Sequence, residues 1–145
     1  MEAAPIDLVR LTDGFDGFGG VSLRVTGREF SGYPEVPVLV GEFVIHTRFL
    51  KGSVKTWLFP EDLTTWEECL DALARGENVS WRKDRRATEL HLDVDAPELA
   101  EGMIRVSVAD RTGSRATAQL VLEPAEDWLQ DHRARLAEVR KTWAD

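Results

Sequence analysis

Pro60 stands between an apolar run, Trp57-Leu58-Phe59, and a segment rich in acids and hydroxyls, Glu61 to Glu68. Proline has no N–H to give a sheet ladder, so the strand ends there and a helix begins just after it. Thr64 with Glu67, or Thr65 with Glu68, has the spacing of a capping box, in which a hydroxyl and a carboxylate bond two orphan N–H groups. Glu61, Asp62, Glu67 and Glu68 also crowd the positive end of the helix dipole. Trp66, Cys69, Leu70 and Leu73 recur at helical spacing, so one apolar stripe faces a sheet while Glu67, Glu68, Asp71 and Arg75 face water. Gly76 supplies a left-handed exit, and Val79 with Trp81 opens the next strand.

Strand signals lie on both sides of this helix. Ile6 to Leu11 form a first strand, followed by a loop holding Gly14, Gly17, Gly19 and Gly20 with Phe15 and Phe18 among them. Val21, Leu23 and Val25 alternate with polar residues, Gly27 closes that strand, and Arg28 to Pro37 reads as a crossing loop. Leu39, Phe43, Ile45 and Phe49 share one face of a long strand in which Gly41 marks a bulge. Lys51-Gly52 then turns the chain into an antiparallel hairpin reaching Phe59. Beyond the first helix, Glu89, His91, Asp93 and Asp95 alternate with apolar residues. Ile104 to Val108 and Ala116 to Leu122 form a hairpin about a turn at Asp110 to Gly113. Pro124 precedes a second helix carrying Trp128, Leu129, His132, Leu136, Val139 and Trp143 at spacings of three and four.

The order is four strands, a helix, four strands, a helix, with no repeat in the sequence itself. It predicts one α+β domain over residues 1–145: a curved antiparallel sheet or partial β-sandwich of about eight strands, with the first helix across a face and the last at an edge or end. A chain of 145 residues buries roughly 70% of its unfolded surface without help from metal or disulfide. The lone Cys69 forms no internal bridge, no N-terminal run has the pattern of a signal peptide, and no apolar stretch is long enough for a membrane span. A cytoplasmic protein is expected.

A formal charge of −8 argues against nucleic acid and permits a basic protein partner, although charge taken alone is explained by solubility. The basic run Arg82 to Arg86 reads as a solvated hairpin tip on this acidic molecule. The glycine loop lacks Gly-Lys-Ser/Thr and precedes a strand, which excludes a phosphate-binding motif. Glu89, His91, Asp93 and Asp95 lie two residues apart, about 7 Å, too far for a compact metal shell from one strand. Cys69 falls on a buried stripe, and His46, His91 and His132 occupy separate elements, so no catalytic set is read and neither metal nor cofactor is expected.

Leu11-Thr12-Asp13-Gly14, Arg24-Val25-Thr26-Gly27, the Glu61 to Trp66 opening, Leu70-Asp71-Ala72-Leu73-Ala74 with Gly76, Trp81, and the Trp128 to Trp143 helix resemble a family of small actinobacterial proteins, a domain of unknown function. More distantly, the strand, helix opening and tryptophan pattern is similar to immunity proteins of the WapI type, which neutralise contact-dependent toxins. The first resemblance implies a compact stand-alone domain and the second implies stoichiometric protein binding; neither supplies catalytic residues. The expected function is non-enzymatic, immunity-like binding of a basic protein through Glu61, Asp62, Glu67, Glu68, Asp71, Glu89, Asp93 and Asp95. The alternative is a small-ligand-binding protein or small enzyme whose pocket lies under the 13–20 loop, lined by Trp57 and Trp81. A monomer is expected, or a homodimer formed through a sheet edge or the last helix.

Overall fold

The computed structural model describes residues 3–14, 19–32, 35–83 and 87–143. Phe15, Phe18 and the end of the basic run, Asp84 to Arg86, lie outside the described residues. Strands β1 (Ile6–Thr12), β2 (Gly20–Ser31), β3 (Val36–His46) and β4 (Lys51–Leu58) form one antiparallel sheet in that order, followed by helix α1 (Pro60–Ala74). Strands β5 (Val79–Trp81), β6 (Glu89–Asp93), β7 (Ile104–Ala109) and β8 (Thr117–Leu122) form a second, followed by α2 (Trp128–Trp143). The expected α+β class holds, and the strands divide evenly between two sheets. The same succession of elements thus occurs twice without a repeated sequence. Both sheets and both helices bury side chains in one core, including Leu8, Leu23 and Phe43, Trp66 and Leu70, Leu90, Leu92 and Val106, and Leu136 and Val139.

Period-two alternation places Val21, Leu23 and Val25 inward. A bulge at Thr26 then breaks the register opposite Val40 and Gly41. A side chain at Gly41 would meet Leu23 Cδ1 at 3.2 Å and the Arg24 carbonyl at 3.3 Å, so glycine fits where the bulged strand closes in. The expected crossing loop is instead a continuation of the β2–β3 hairpin, because Phe30 pairs with Pro37 and Ser31 with Val36. Arg28, Glu29 and Phe30 are all exposed, so no alternation marks them as strand. Pro37 is tolerated because β4 begins pairing with β3 only at Leu39, leaving the strand unpaired on that side.

The next turn also differs from expectation. β3 stops at His46, and the Thr47 hydroxyl accepts the N–H groups of Phe49 and Leu50 at 3.2 and 2.7 Å. The turn is therefore Thr47 to Leu50, and Phe49, 98% exposed, leaves the strand face. Pro60 opens α1, but the cap is Asp62: its carboxylate accepts the Phe59 N–H at 2.8 Å, while Thr64 and Thr65 already lie within the helix. Gly76, at φ +79°, ends it as the N–H groups of Gly76 and Glu77 return to the Leu73 and Ala72 carbonyls.

Each helix closes on the first strand of the opposite half. α2 packs along β1, where the Arg10 N–H donates to His132 Nε2 at 3.0 Å and Arg135 Nη1 donates to the Asp7 carbonyl at 3.3 Å. His132 Nδ1–H donates to the Trp128 carbonyl at 2.6 Å, which fixes the neutral tautomer. α1 packs beside β5, where Trp81 Nε1–H donates to the Asp62 carbonyl at 3.0 Å and to Thr65 Oγ1 at 3.1 Å. Trp66 joins the two contacts, its ring centroid 4.9 Å from Trp81 and 6.4 Å from His132. The β1 edge, which would otherwise template pairing with another chain, is thereby covered, and α1 flanks β5.

Candidate functional site

The acidic residues expected to meet a partner occupy different environments. Asp62 is buried as the α1 cap. Glu67 pairs with Arg140 at 2.7 Å and Asp71 with Arg133 at 2.8 Å, bridging the two helices. Glu89 is buried against Arg111 at 2.6 Å, and Asp93 is buried between His91 and Arg105. Glu61, Glu68 and Asp95 are exposed. Much of this charge is therefore neutralised within the fold.

The β6 polar row is not the solvated face that alternation suggests. Ser80 pairs directly with His91 and His91 with Ser107, which stacks polar side chains across three strands. Ser80 Oγ lies 2.6 Å from His91 Nδ1, and His91 Nε2 lies 2.8 Å from Asp93 Oδ1. Arg105 donates through Nε and Nη2 to Asp93 Oδ2 at 2.8 and 2.7 Å, and through Nη1 to Glu98 at 2.5 Å. Burial opposes ionisation of Asp93, but Arg105 and His91 outweigh it and hold the carboxyl below its usual range. Serine, histidine and aspartate in this order have the connectivity of a nucleophile, a base and an orienting acid. Acyl transfer further requires a cavity and oxyanion donors beside the nucleophile. Ser80 borders an open cavity of about 440 Å³ with Thr65, Glu68 and Cys69, but neither His91 nor Asp93 lines it or the cleft of about 420 Å³, and Arg105 holds the carboxylate from the other side. The row acts as a cross-strand clamp. Its register, which brings Ser80 to His91, was the signal missing from residue spacing alone.

A different site lies along β4. At its C-terminal end a cleft of about 420 Å³ is lined by Lys55, Trp57, Phe59, Asp62, Arg82 and Thr88, among others. Trp57 and Phe59 are 42% and 39% exposed, and Lys55 Nζ sits 5.3 Å from the Trp57 ring centroid. Arg82, expected on a solvated tip, is buried: Nη1 donates to Thr56 Oγ1 at 2.9 Å and Nη2 to the Trp57 carbonyl at 3.0 Å. It adopts φ +68°, a left-handed conformation uncommon for arginine, and so directs a sheet-two side chain onto sheet one. Along the N-terminal half of β4 a groove of about 180 Å³ separates Leu50 and Val54 from Val108 and Ala116. Asp110, also in its wall, is held at a pKa of about 2, chiefly by the Ser114 N–H and hydroxyl, with the Gly113 and Thr112 N–H groups adding to the effect.

β4 is the last strand of its sheet, and alternation gives the orientation of its backbone. Arg10 directs its N–H away from β2, and the paired registers carry that phase across the sheet. Gly52, Val54 and Thr56 thus bond to β3, whereas Lys51, Ser53, Lys55 and Trp57 present their N–H and C=O groups outward. Arg82 takes the Trp57 carbonyl. Among the described residues no backbone group pairs with the outward positions from Lys51 to Lys55.

Residues 15–18 of the 13–20 loop lie outside the described residues, and the aromatic side chains expected to line a pocket there stand apart from each other. Trp81 is buried against Trp66, Trp57 lines the β4 cleft, and Gly19 and Gly20 border a separate polar depression with Arg10, Ser22 and Arg24. Cys69 is half-buried; burial, with Glu68 adding to it, pushes its thiol up to about 11 and keeps it protonated. Among the described residues no group of three or more His, Cys, Asp or Glu is placed to hold a metal ion, and no helix is long and apolar enough to cross a membrane.

A model of one protein family matches residues 6–144, spanning both four-strand-and-helix units. The chain belongs to the DUF5959 family. That family is described as one of unknown function. No curated protein and no solved structure matches the chain. Function in this DUF5959 protein must therefore be argued from its own surfaces.

Proposed function

We propose that this chain is a non-enzymatic protein-binding domain whose contact surface is the β4 groove. The observation carrying the reading is the uncovered β4 backbone beside two exposed aromatic side chains, Trp57 and Phe59. Large aromatic anchors beside an apolar cleft supply contact area at low entropic cost. Immunity-like neutralisation is the form of binding that the WapI resemblance suggests, the resemblance to small actinobacterial proteins suggests the source, and the single protonated thiol of Cys69 is compatible with a cytoplasm. The acidic-surface version of this reading rests on Glu68 and Asp95, exposed acids of the expected set that hold no side-chain ion pair among the described residues.

Affinity capture with three forms of the tagged protein separates the two surfaces. The parent should hold a protein in stoichiometric amount, and Trp57→Ala with Phe59→Ala should lower its retention at least tenfold. Glu68→Lys with Asp95→Lys should leave retention within about twofold. Loss on charge reversal alone would move the contact to the acidic surface. Absence of any stoichiometric protein at low salt would count against protein binding.

A further inference from the structure

We infer that the outward edge of β4 is a strand-addition site for an extended acidic segment of a partner protein. This rests on the protein-binding reading and gives the partner segment a chemistry. Lys51, Ser53 and Lys55 offer outward backbone donors and acceptors, which an extended peptide can pair as a fifth strand. Their side chains and that of Trp57 share the outer face of the sheet, opposite the inward Val54, Thr56 and Leu58. Lys51 and Lys55 are four residues apart, about 13 Å along the strand, so an added strand places two of its own side chains beside them at the same spacing. Carboxylates at those positions form cross-strand pairs with the ammonium groups. An apolar side chain two positions further on meets Trp57.

Charge also selects against the obvious competitor. A second copy pairing antiparallel about Ser53 would set Lys51 of each chain against Lys55 of the other, and like charges directly opposite repel. Lysine on an edge is a common guard against self-association, and the same guard favours an acidic strand. The acids nearest the edge are engaged elsewhere: Asp110 caps the β7–β8 turn and Asp62 caps α1. Glu42 is the direct β3 neighbour of Lys55, while the Lys55 ammonium extends over Trp57 instead.

The test titrates the full chain, followed by amide NMR, with short synthetic peptides. Two carry glutamates and a leucine spaced as Lys51, Lys55 and Trp57 are, one in each chain direction, and controls carry lysine for glutamate. At least one acidic peptide should bind at least tenfold more tightly than its basic control, with the amides of Ser53 and Lys55 gaining protection. Ser53→Pro removes one outward N–H and should weaken binding at least tenfold. If that variant does not fold, Lys51→Glu with Lys55→Glu should reverse the charge preference. No binding by either acidic peptide, equal binding of acidic and basic peptides, or full affinity in the folded proline variant would overturn the inference. So would a homodimer in sedimentation that Ser53→Pro dissociates. If these peptides fail while a captured protein still depends on Trp57 and Phe59, the acidic strand is wrong and protein binding stands; if both fail, protein binding falls too.

Discussion

The first strand of each sheet and the β4 edge solve the same problem in opposite ways. β1 is closed by α2, with His132 taking the Arg10 N–H and Arg135 taking the Asp7 carbonyl. β5 is flanked by α1, anchored through the Trp81 indole. β4 carries lysines instead of a cover, and among the described residues no backbone group pairs with its outward positions from Lys51 to Lys55. Because each helix crosses to the other half, neither sheet has its first edge protected until both halves meet. The contacts at β1 and β5 are thus part of folding, and the β4 edge is available to a partner.

The strongest way to break this contrast is at the junction of the two covers. Trp66→Ala removes the ring lying against both Trp81 and His132, and should cost about 3–5 kcal/mol in chemical denaturation. Arg82→Met removes the cation that joins sheet two to Thr56 and Trp57, and should cost roughly 1.5–3 kcal/mol by the same measurement.

His132→Leu strips the acceptor from the part-buried Arg10 N–H and should cost roughly 1–3 kcal/mol at neutral pH. It should also flatten the acid limb of stability. Burial, opposed by the Trp128 carbonyl and Asp131, lowers the His132 pKa below the ordinary 6.5, so the fold favours the neutral ring. Below about pH 6.5 the unfolded chain takes up this proton first. The contribution from His132 is therefore complete above that pH and lost as pH falls toward the lowered folded value. Denaturation at a series of pH values should show this loss in the parent and its absence in the leucine variant. The smallest effect belongs to the β4 edge: Ser53→Pro should change stability by no more than about 0.5 kcal/mol, because its N–H has no partner among the described residues to lose.

Much of the fold was legible wherever one face of an element is dry. Alternation at Val21, Leu23 and Val25 and the helical stripe of Trp66, Leu70 and Leu73 gave element type and inward face directly. The same signal vanished at Arg28 to Phe30, where both faces meet water and only the β3 register keeps the strand extended. The helix start was visible in Pro60, yet its cap was not, because Asp62 reaches back to Phe59 while the hydroxyl of Thr65 turns to Trp81. Nothing in the spacing of Arg10, Arg82 or His132 reveals that they meet other halves of the chain, since those contacts exist only once the sheets assemble. The candidate site is legible only in part: the sequence marks Trp57 as aromatic lining, but not that the cleft it lines lies at the β4 strand edge.

Amide hydrogen exchange of the free protein tests the division between covered and open edges most directly. The Arg10 amide should exchange slowly, near the rate set by global unfolding, while those of Ser53 and Lys55 exchange quickly. Equal protection at Arg10 and Ser53, whether both slow or both fast, would contradict it.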